Sequence, residues 1–267
     1  MKQYKDVISL SKNERGIWDL DTIKGCKSGL LENENGCYND CYAYKTAKRY
    51  GIDFNTSVER NFIDYNHLQS IIKQIEKIDM PFIRIGCSGD PSENWEHTIK
   101  IIKQIRDNSQ LTLFDISSTK QIVIITRHWN ILTNDQLNKI KKYNICINTS
   151  VSALDNDKLI NIALEQYKRL KPYCKSVLRV VTADFNTSNL IGKIKHDKQN
   201  ELLKNEMVID TVFRPSSKNE FLTREIINAQ KMSFMKSKQL ISKFNKKAFV
   251  GKCENCLEMC GLNIQHK

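Results

Sequence analysis

Three cysteines, Cys26, Cys37 and Cys41, fall within sixteen residues of a loop punctuated by Gly25, Gly29 and Gly36. Three thiolates can hold a cubane iron-sulfur cluster by three of its irons and leave the fourth iron open to a substrate or cofactor, whereas a closed structural site uses four ligands. A zinc ion drawing a fourth ligand from elsewhere, or plain core thiols, are the competing readings. Cys37 and Cys41 are four apart, so a short helix would set them on one face. A second group, Cys253, Cys256 and Cys260, closes the chain within Gly251-Lys-Cys-Glu-Asn-Cys-Leu-Glu-Met-Cys-Gly261. Its two-residue gap lets one metal take both first thiols, as an auxiliary iron-sulfur cluster or a zinc knuckle, with Cys174, Cys87, His266 or an exogenous molecule as fourth ligand. Cys146, in an alternating strand pattern, reads as core.

Other residues gain meaning from the elements that carry them. Apolar, β-branched runs recur at 81–86, 121–126, 144–150, 176–182 and 208–213, after a first strand at 16–23. Each is short and bounded by polar residues, as buried parallel strands are. Amphipathic stripes at 67–78, 95–105 and 155–170 lie between them, and the roughly thirty-residue spacing suits strand-helix units with right-handed crossovers. An open partial barrel of six units and a doubly wound sheet both satisfy this pattern. In either, ligands bind at the carboxyl ends of the strands.

At those ends stand Arg84-Ile-Gly-Cys-Ser-Gly-Asp-Pro91, where Gly89 permits close backbone approach and Asp90 offers an acceptor for an ammonium group. The competing reading is a strand-to-helix turn capped by Asp90. Arg127 and His128 at the third tip and Arg179 in the fifth strand are candidate anion contacts, or ordinary salt-bridge partners. Ser150 and Ser152 are either ligand contacts or a helix cap.

The chain has 267 residues, 40% of them hydrophobic, and a net charge of +12. No apolar run reaches membrane-spanning length, and no secretory signal opens the chain, so the nine cysteines are expected in a reducing cytoplasm that favours metal binding over disulfides. Between Arg214 and Lys252 ten Lys or Arg face two Glu. That run suits a nucleic acid or another polyanion, or is a solvated helix face.

In this order, the first strand, the tri-cysteine loop, the strand ending in Ser88-Gly89-Asp90-Pro91 and the later polar strand tips resemble the radical S-adenosylmethionine superfamily. More narrowly, Gly36-Cys-Tyr-Asn-Asp-Cys-Tyr-Ala43 and Ile124-Ile-Thr-Arg127 resemble a radical-SAM-like group often encoded by phages and mobile elements and distantly similar to spore photoproduct lyase. The resemblance covers about residues 16 to 215. The loop spaces its cysteines by ten and then three residues, where the superfamily has three and two, and Ser88 and Asp90 stand in place of Gly and Glu. The resemblance implies an α/β fold with a partial (βα)6 TIM-like barrel over 1–215, followed by a basic helical segment and a cysteine-rich metal-binding extension over 216–267. It further implies a [4Fe-4S] cluster on Cys26, Cys37 and Cys41, with S-adenosylmethionine bound by Ser88, Gly89, Asp90, Pro91, Ser150 and Ser152. It singles out Arg127 as the catalytic candidate and calls for a reductant such as flavodoxin or ferredoxin. The implied enzyme cleaves the cofactor reductively to a 5′-deoxyadenosyl radical and modifies or repairs a substrate, for which nucleic acid or nucleotide fits the charge. A noncatalytic, metal-stabilised nucleic-acid-binding protein is the alternative.

Overall fold

The computed structural model describes residues 6–13, 15–109, 120–212, 240–241, 249–250 and 253–264. Its frame is a seven-stranded sheet made of β1 (Ser11–Lys12), β2 (Trp18–Asp19), β5 (Phe82–Ile85), β6 (Gln121–Thr126), β7 (Ile145–Val151), β8 (Lys175–Thr182) and β9 (Val208–Val212), in that order. Every pairing from β2 to β9 is parallel, and β1 lies antiparallel on β2. The strands follow chain order without a reversal, so the sheet has no topological switch point of the doubly wound kind. This is an α/β fold compatible with a partial barrel; β1 and β9 do not pair to close it.

Five expected strands, β5 to β9, appear almost as the β-branched runs mark them, because a strand buried on both faces needs continuous apolar sequence. All seven residues of β7 are buried. The first expected strand, 16–23, is a correction. Only Trp18–Asp19 pairs in the main sheet, and β3 (Ile23–Lys24) leaves it to pair antiparallel with β4 (Val58–Glu59). The cause lies at Asp21, whose carboxylate accepts the backbone N–H groups of Gly86 at 3.0 Å, Cys87 at 2.7 Å and Ser88 at 2.8 Å. The chain bends there to clasp the tip of β5 instead of extending.

The helices are α1 (Lys27–Glu32), α2 (Tyr42–Arg49), α3 (Tyr65–Lys77), α4 (Trp95–Asn108), α5 (Asn134–Lys141), α6 (Asp157–Leu170) and α7 (Leu190–Leu203). Local chemistry starts them. Asp64, Asn94, Asn156 and Asn189 each accept a first-turn N–H, and Thr133 with Gln136 closes a capping box at α5. Leu68, Ile71, Ile72 and Ile75 of α3 and Ile99, Ile102 and Ile105 of α4 share one core with Ile83, Ile85, Ile122, Ile124, Ile145 and Ile147 of the sheet. Each such burial contributes about 1.5–3 kcal/mol before conformational entropy is charged against it.

Alternation along the strands turns Arg84, Val123, Cys146, Asn148 and Arg179 to the opposite face. There the terminal segment 253–264 packs, with Cys253, Met259, Cys260 and Leu262 beside Val123, Cys146 and Val177. Among the described residues no helix is long and apolar enough to cross a membrane. The basic stretch 214–252 lies outside the described residues except for the two-stranded ribbon of β10 (Leu240–Ile241) and β11 (Phe249–Val250).

Candidate functional site

The tri-cysteine loop sits at the carboxyl ends of β2, β5 and β6, held there by backbone contact. Gly25 donates its N–H to the Ser88 carbonyl at 3.1 Å and forms a parallel bridge with Gly89. A Cβ on Gly89 would stand 2.5 Å from the Ile23 carbonyl oxygen and 2.6 Å from that of Gly25, so only glycine admits this approach. Two further glycines make room for the sulfurs. A Cβ on Gly29 would lie 2.9 Å from Cys26 Sγ and 3.7 Å from Cys37 Sγ, which puts those sulfurs no farther apart than the two distances together. A Cβ on Gly36 would lie 2.7 Å from Cys41 Cβ and 3.6 Å from its Sγ.

Cys37 and Cys41 do not share a helix face as their spacing allows. The 3-10 turn Cys37–Asn39 is itself broken, with Tyr38 at φ 61° and Asn39 at φ 57° inside it, and Cys41 stands at the N-cap of α2. Left-handed backbone at a tyrosine costs on the order of 1 kcal/mol or more and persists only where contacts impose it. The imposing contacts come from Arg127. Its guanidinium lies 4.7 Å from the Tyr38 ring centroid, donates to the Tyr38 hydroxyl, and forms a two-pronged pair with Asp155 at 3.0 and 2.5 Å. Trp129 flanks it at 5.4 Å. Burial opposes the guanidinium charge, but Tyr38, Asp155 and Cys37 outweigh it and hold Arg127 protonated. Arg127 thus ties the strand tips to the cysteine loop.

Burial raises all three thiols. It pushes Cys37 up to about 12, with Arg127 opposing; it raises Cys41; and at Cys26, where Asp90, Cys37 and Glu93 add to it, the thiol is driven far up. The Cys26 thiol also meets Glu93 Oε1 at 3.5 Å, and that oxygen accepts Ser28 N–H at 2.8 Å. Thiols so raised stay protonated unless a metal or cluster takes the sulfur and displaces the proton.

Asp90 differs from the expected ammonium acceptor. Its carboxylate is buried and takes four donors: Ser92 N at 2.9 Å, Ser92 Oγ at 2.7 Å, Thr126 Oγ1 at 2.8 Å and Arg127 N at 2.7 Å. Those fill the lone-pair directions of a carboxylate, so Asp90 welds β5 to β6 and caps the turn Pro91–Asn94. Burial raises its pKa despite these bonds. Ser88 gives both its N–H and hydroxyl to Asp21. Pro91 is buried at the start of its turn. Ser152 is buried too, donates its hydroxyl to the Val181 carbonyl at 2.7 Å and serves the turn before α6 rather than a ligand. Ser150 lies on the inner face, with its hydroxyl bonded to Tyr38. Of the expected cofactor contacts, Ser88 and Gly89 meet the cysteine loop through backbone at Gly25, and Ser150 meets it at Tyr38.

His128 is also a correction. It is buried with φ 55°, bonds Thr149 Oγ1 through Nε2 at 3.0 Å, and burial holds its pKa near 3, so it is neutral and no anion contact. Arg179 is likewise on the inner face, where burial lowers its pKa and Cys260 opposes that effect.

The second cysteine group stands across this inner face from the helices. Cys253 N–H donates to the Arg15 carbonyl at 2.8 Å and Cys256 N–H to the Cys253 carbonyl at 3.0 Å. Three consecutive residues, Met259 at φ 44°, Cys260 at 55° and Gly261 at 90°, make a left-handed turn pressed on Val177. Asn148 Nδ2 donates to the Cys260 carbonyl at 3.1 Å. The Cys146 sulfur also approaches that carbonyl, at 4.0 Å, which keeps Cys146 a core residue bordering the group. Burial pushes the Cys260 thiol up to about 11, against the opposing charges of Arg84 and Arg179.

Between the two groups lie Arg84, paired with the buried Asp19 at 2.7 Å, and Tyr42, whose hydroxyl donates to the Cys87 carbonyl at 2.5 Å. Tyr42 keeps 59% of its surface accessible. Among the described residues no three His, Cys, Asp or Glu side chains stand close enough to share one metal ion. Neither cysteine group is drawn into single-ion geometry.

Sequence patterns pass over Tyr38, Tyr42, Asp21 and Asp155, which organise the site. Asp21 and Asp155 lie just past strand ends, the signal available; the two tyrosines each follow a loop cysteine directly. No family model, curated protein or solved structure matches the chain.

Proposed function

We propose that the protein is a radical S-adenosylmethionine enzyme built on a partial (βα)6 barrel, with a cluster held by Cys26, Cys37 and Cys41. The observation that carries this reading is the convergence of three thiols of one loop, around Gly29 and Gly36, at the carboxyl end of a parallel sheet. Three thiolates of one loop are the donor set such a cluster takes, and the Cys26 and Cys37 sulfurs both border Gly29 while Cys41 borders Gly36. Such a cluster supplies the electron, taken from a reductant such as flavodoxin or ferredoxin, that splits the sulfonium of S-adenosylmethionine into methionine and a 5′-deoxyadenosyl radical.

The chain's own residues orient and shield. Gly25 and Gly89 bring the β5 tip against the cysteine loop and leave backbone, not carboxylate, facing a methionine moiety. Arg127 carries a compensated charge beside Cys37, favours its thiolate form and fixes Tyr38 over the strand tips. The substrate class we favour is a nucleic acid or nucleotide, from the basic run 214–252, and the site of action is the cytoplasm.

Anaerobic measurement of iron, sulfide and zinc, together with 5′-deoxyadenosine formation under reduction, tests this. Brown protein that forms 5′-deoxyadenosine supports it. A colourless zinc protein that forms none sinks it in favour of a noncatalytic, metal-stabilised nucleic-acid binder.

A further inference from the structure

Each of the chain's three tryptophans carries one polar side-chain group, the indole N–H. Trp18 Nε1 donates to Asp79 Oδ1 at 3.3 Å, and Trp95 Nε1 donates to the Asn130 carbonyl at 2.7 Å. Trp129 Nε1 is buried and has no acceptor among the described residues. A donor withdrawn from water without a partner costs free energy, so native folds rarely leave one in that state.

The surroundings of this indole give the orphaned donor its meaning. Trp129 packs against the small core that holds Cys26 and Phe54, together with Cys41, Leu30 and Ala43. At Gly29 the three atoms nearest an added Cβ are Cys26 Sγ at 2.9 Å, Trp129 Cζ2 at 3.6 Å and Cys37 Sγ at 3.7 Å. In an indole, Cζ2 and Nε1 are bonded to the same ring carbon, so the edge carrying the N–H is the edge that borders Gly29 with the two sulfurs. The ring is held in place from two sides. Its backbone N–H donates to Ser92 Oγ at 2.8 Å, and the Arg127 guanidinium lies 5.4 Å from the ring centroid. A thiol is a weak acceptor, whereas a thiolate or a cluster sulfide is anionic and accepts strongly.

We infer that Trp129 is a positioning residue of the tri-cysteine site, its indole N–H held for an anionic sulfur of a bound cluster. This rests on the reading that Cys26, Cys37 and Cys41 hold such a cluster, and it adds a donor that cysteine spacing does not reveal. A hydrogen bond to a cluster sulfur stabilises the more negative, reduced state and raises the midpoint potential. The same bond satisfies the one indole that the protein part leaves without an acceptor.

The test compares the full chain before and after anaerobic reconstitution with ferrous iron and sulfide. Ultraviolet resonance Raman spectra of the indole N–H mode should show a free indole before loading and its shift to a hydrogen-bonded band after it. Replacing Trp129 by benzothienylalanine keeps the bicyclic shape and removes the N–H. That variant should hold wild-type iron and sulfide and move the midpoint potential to a lower value, and Trp129→Phe should move it the same way. An unshifted band in iron-loaded wild type, or an unchanged potential in the benzothienylalanine variant, overturns the inference and leaves the cluster reading standing. Wild-type protein that takes up no iron and sulfide overturns both.

Discussion

The two cysteine groups present three thiols each in different electrostatic surroundings. Around the loop, Asp90 and Glu93 act on Cys26, and Asp90 and Asp155 act on Cys37, while Arg127, the cation acting on Cys37, is bound to Asp155. Around the terminal group Arg84, itself paired with Asp19, and Arg179 act on Cys260 against Cys253 and Cys256, and Glu258 acts on Cys256. Added negative charge disfavours an electron and added positive charge favours it, so equal ligands yield unequal potentials.

The largest effect expected separates the two groups outright. Cys37→Ala should abolish 5′-deoxyadenosine formation and leave the terminal metal in place; wild-type product formation by the reduced variant would remove the loop from the chemistry.

Next comes the loop's own cation. Arg127→Ala leaves Asp155 buried without its partner and should cost about 3–5 kcal/mol of stability, read from denaturant midpoints. Replacing both partners with apolar residues, Arg127→Met with Asp155→Leu, should recover much of that loss. If the single variant is as stable as wild type, the knot beside Cys37 is not what holds the loop.

A smaller effect follows from His128, beneath the same strand tips. Its folded pKa near 3 lies below the ordinary value of 6.5, so the unfolded chain takes up a proton that the native state refuses. Its contribution to stability is complete above pH 6.5 and falls by about 1.4 kcal/mol per pH unit as pH drops from there toward 3. His128→Asn, which tolerates left-handed backbone, should flatten that slope by one proton between pH 6 and 4. An unaltered slope would mean that the imidazole is not held neutral.

The smallest effect concerns the basic run preceding the terminal group. Lys243→Gln, Lys246→Gln and Lys247→Gln together should weaken nucleic-acid binding and lower the log-log salt slope by roughly one unit or slightly less per lost phosphate contact. Cofactor cleavage without substrate should not change. Equal affinity and slope for DNA and RNA would turn the substrate reading toward a small molecule or peptide.

Sequence by itself determined the parallel strands 82–85, 121–126, 145–151, 175–182 and 208–212, because continuous β-branched runs between capped amphipathic helices have few other ways to bury themselves. It also marked both cysteine groups, since thiol spacing is a one-dimensional property. Tertiary structure decided how the marked residues are used. Asp90, legible as a ligand acceptor or a cap, became a junction between two strands once Ser92, Thr126 and Arg127 were brought around it. The first strand was cut short because Asp21 finds three backbone donors 65 to 67 positions away. The terminal cysteines met Arg84 and Arg179 only through the alternation of side chains across a folded sheet. Local propensity specifies elements, whereas the partners of a buried charge are chosen by whichever distant groups packing delivers to it.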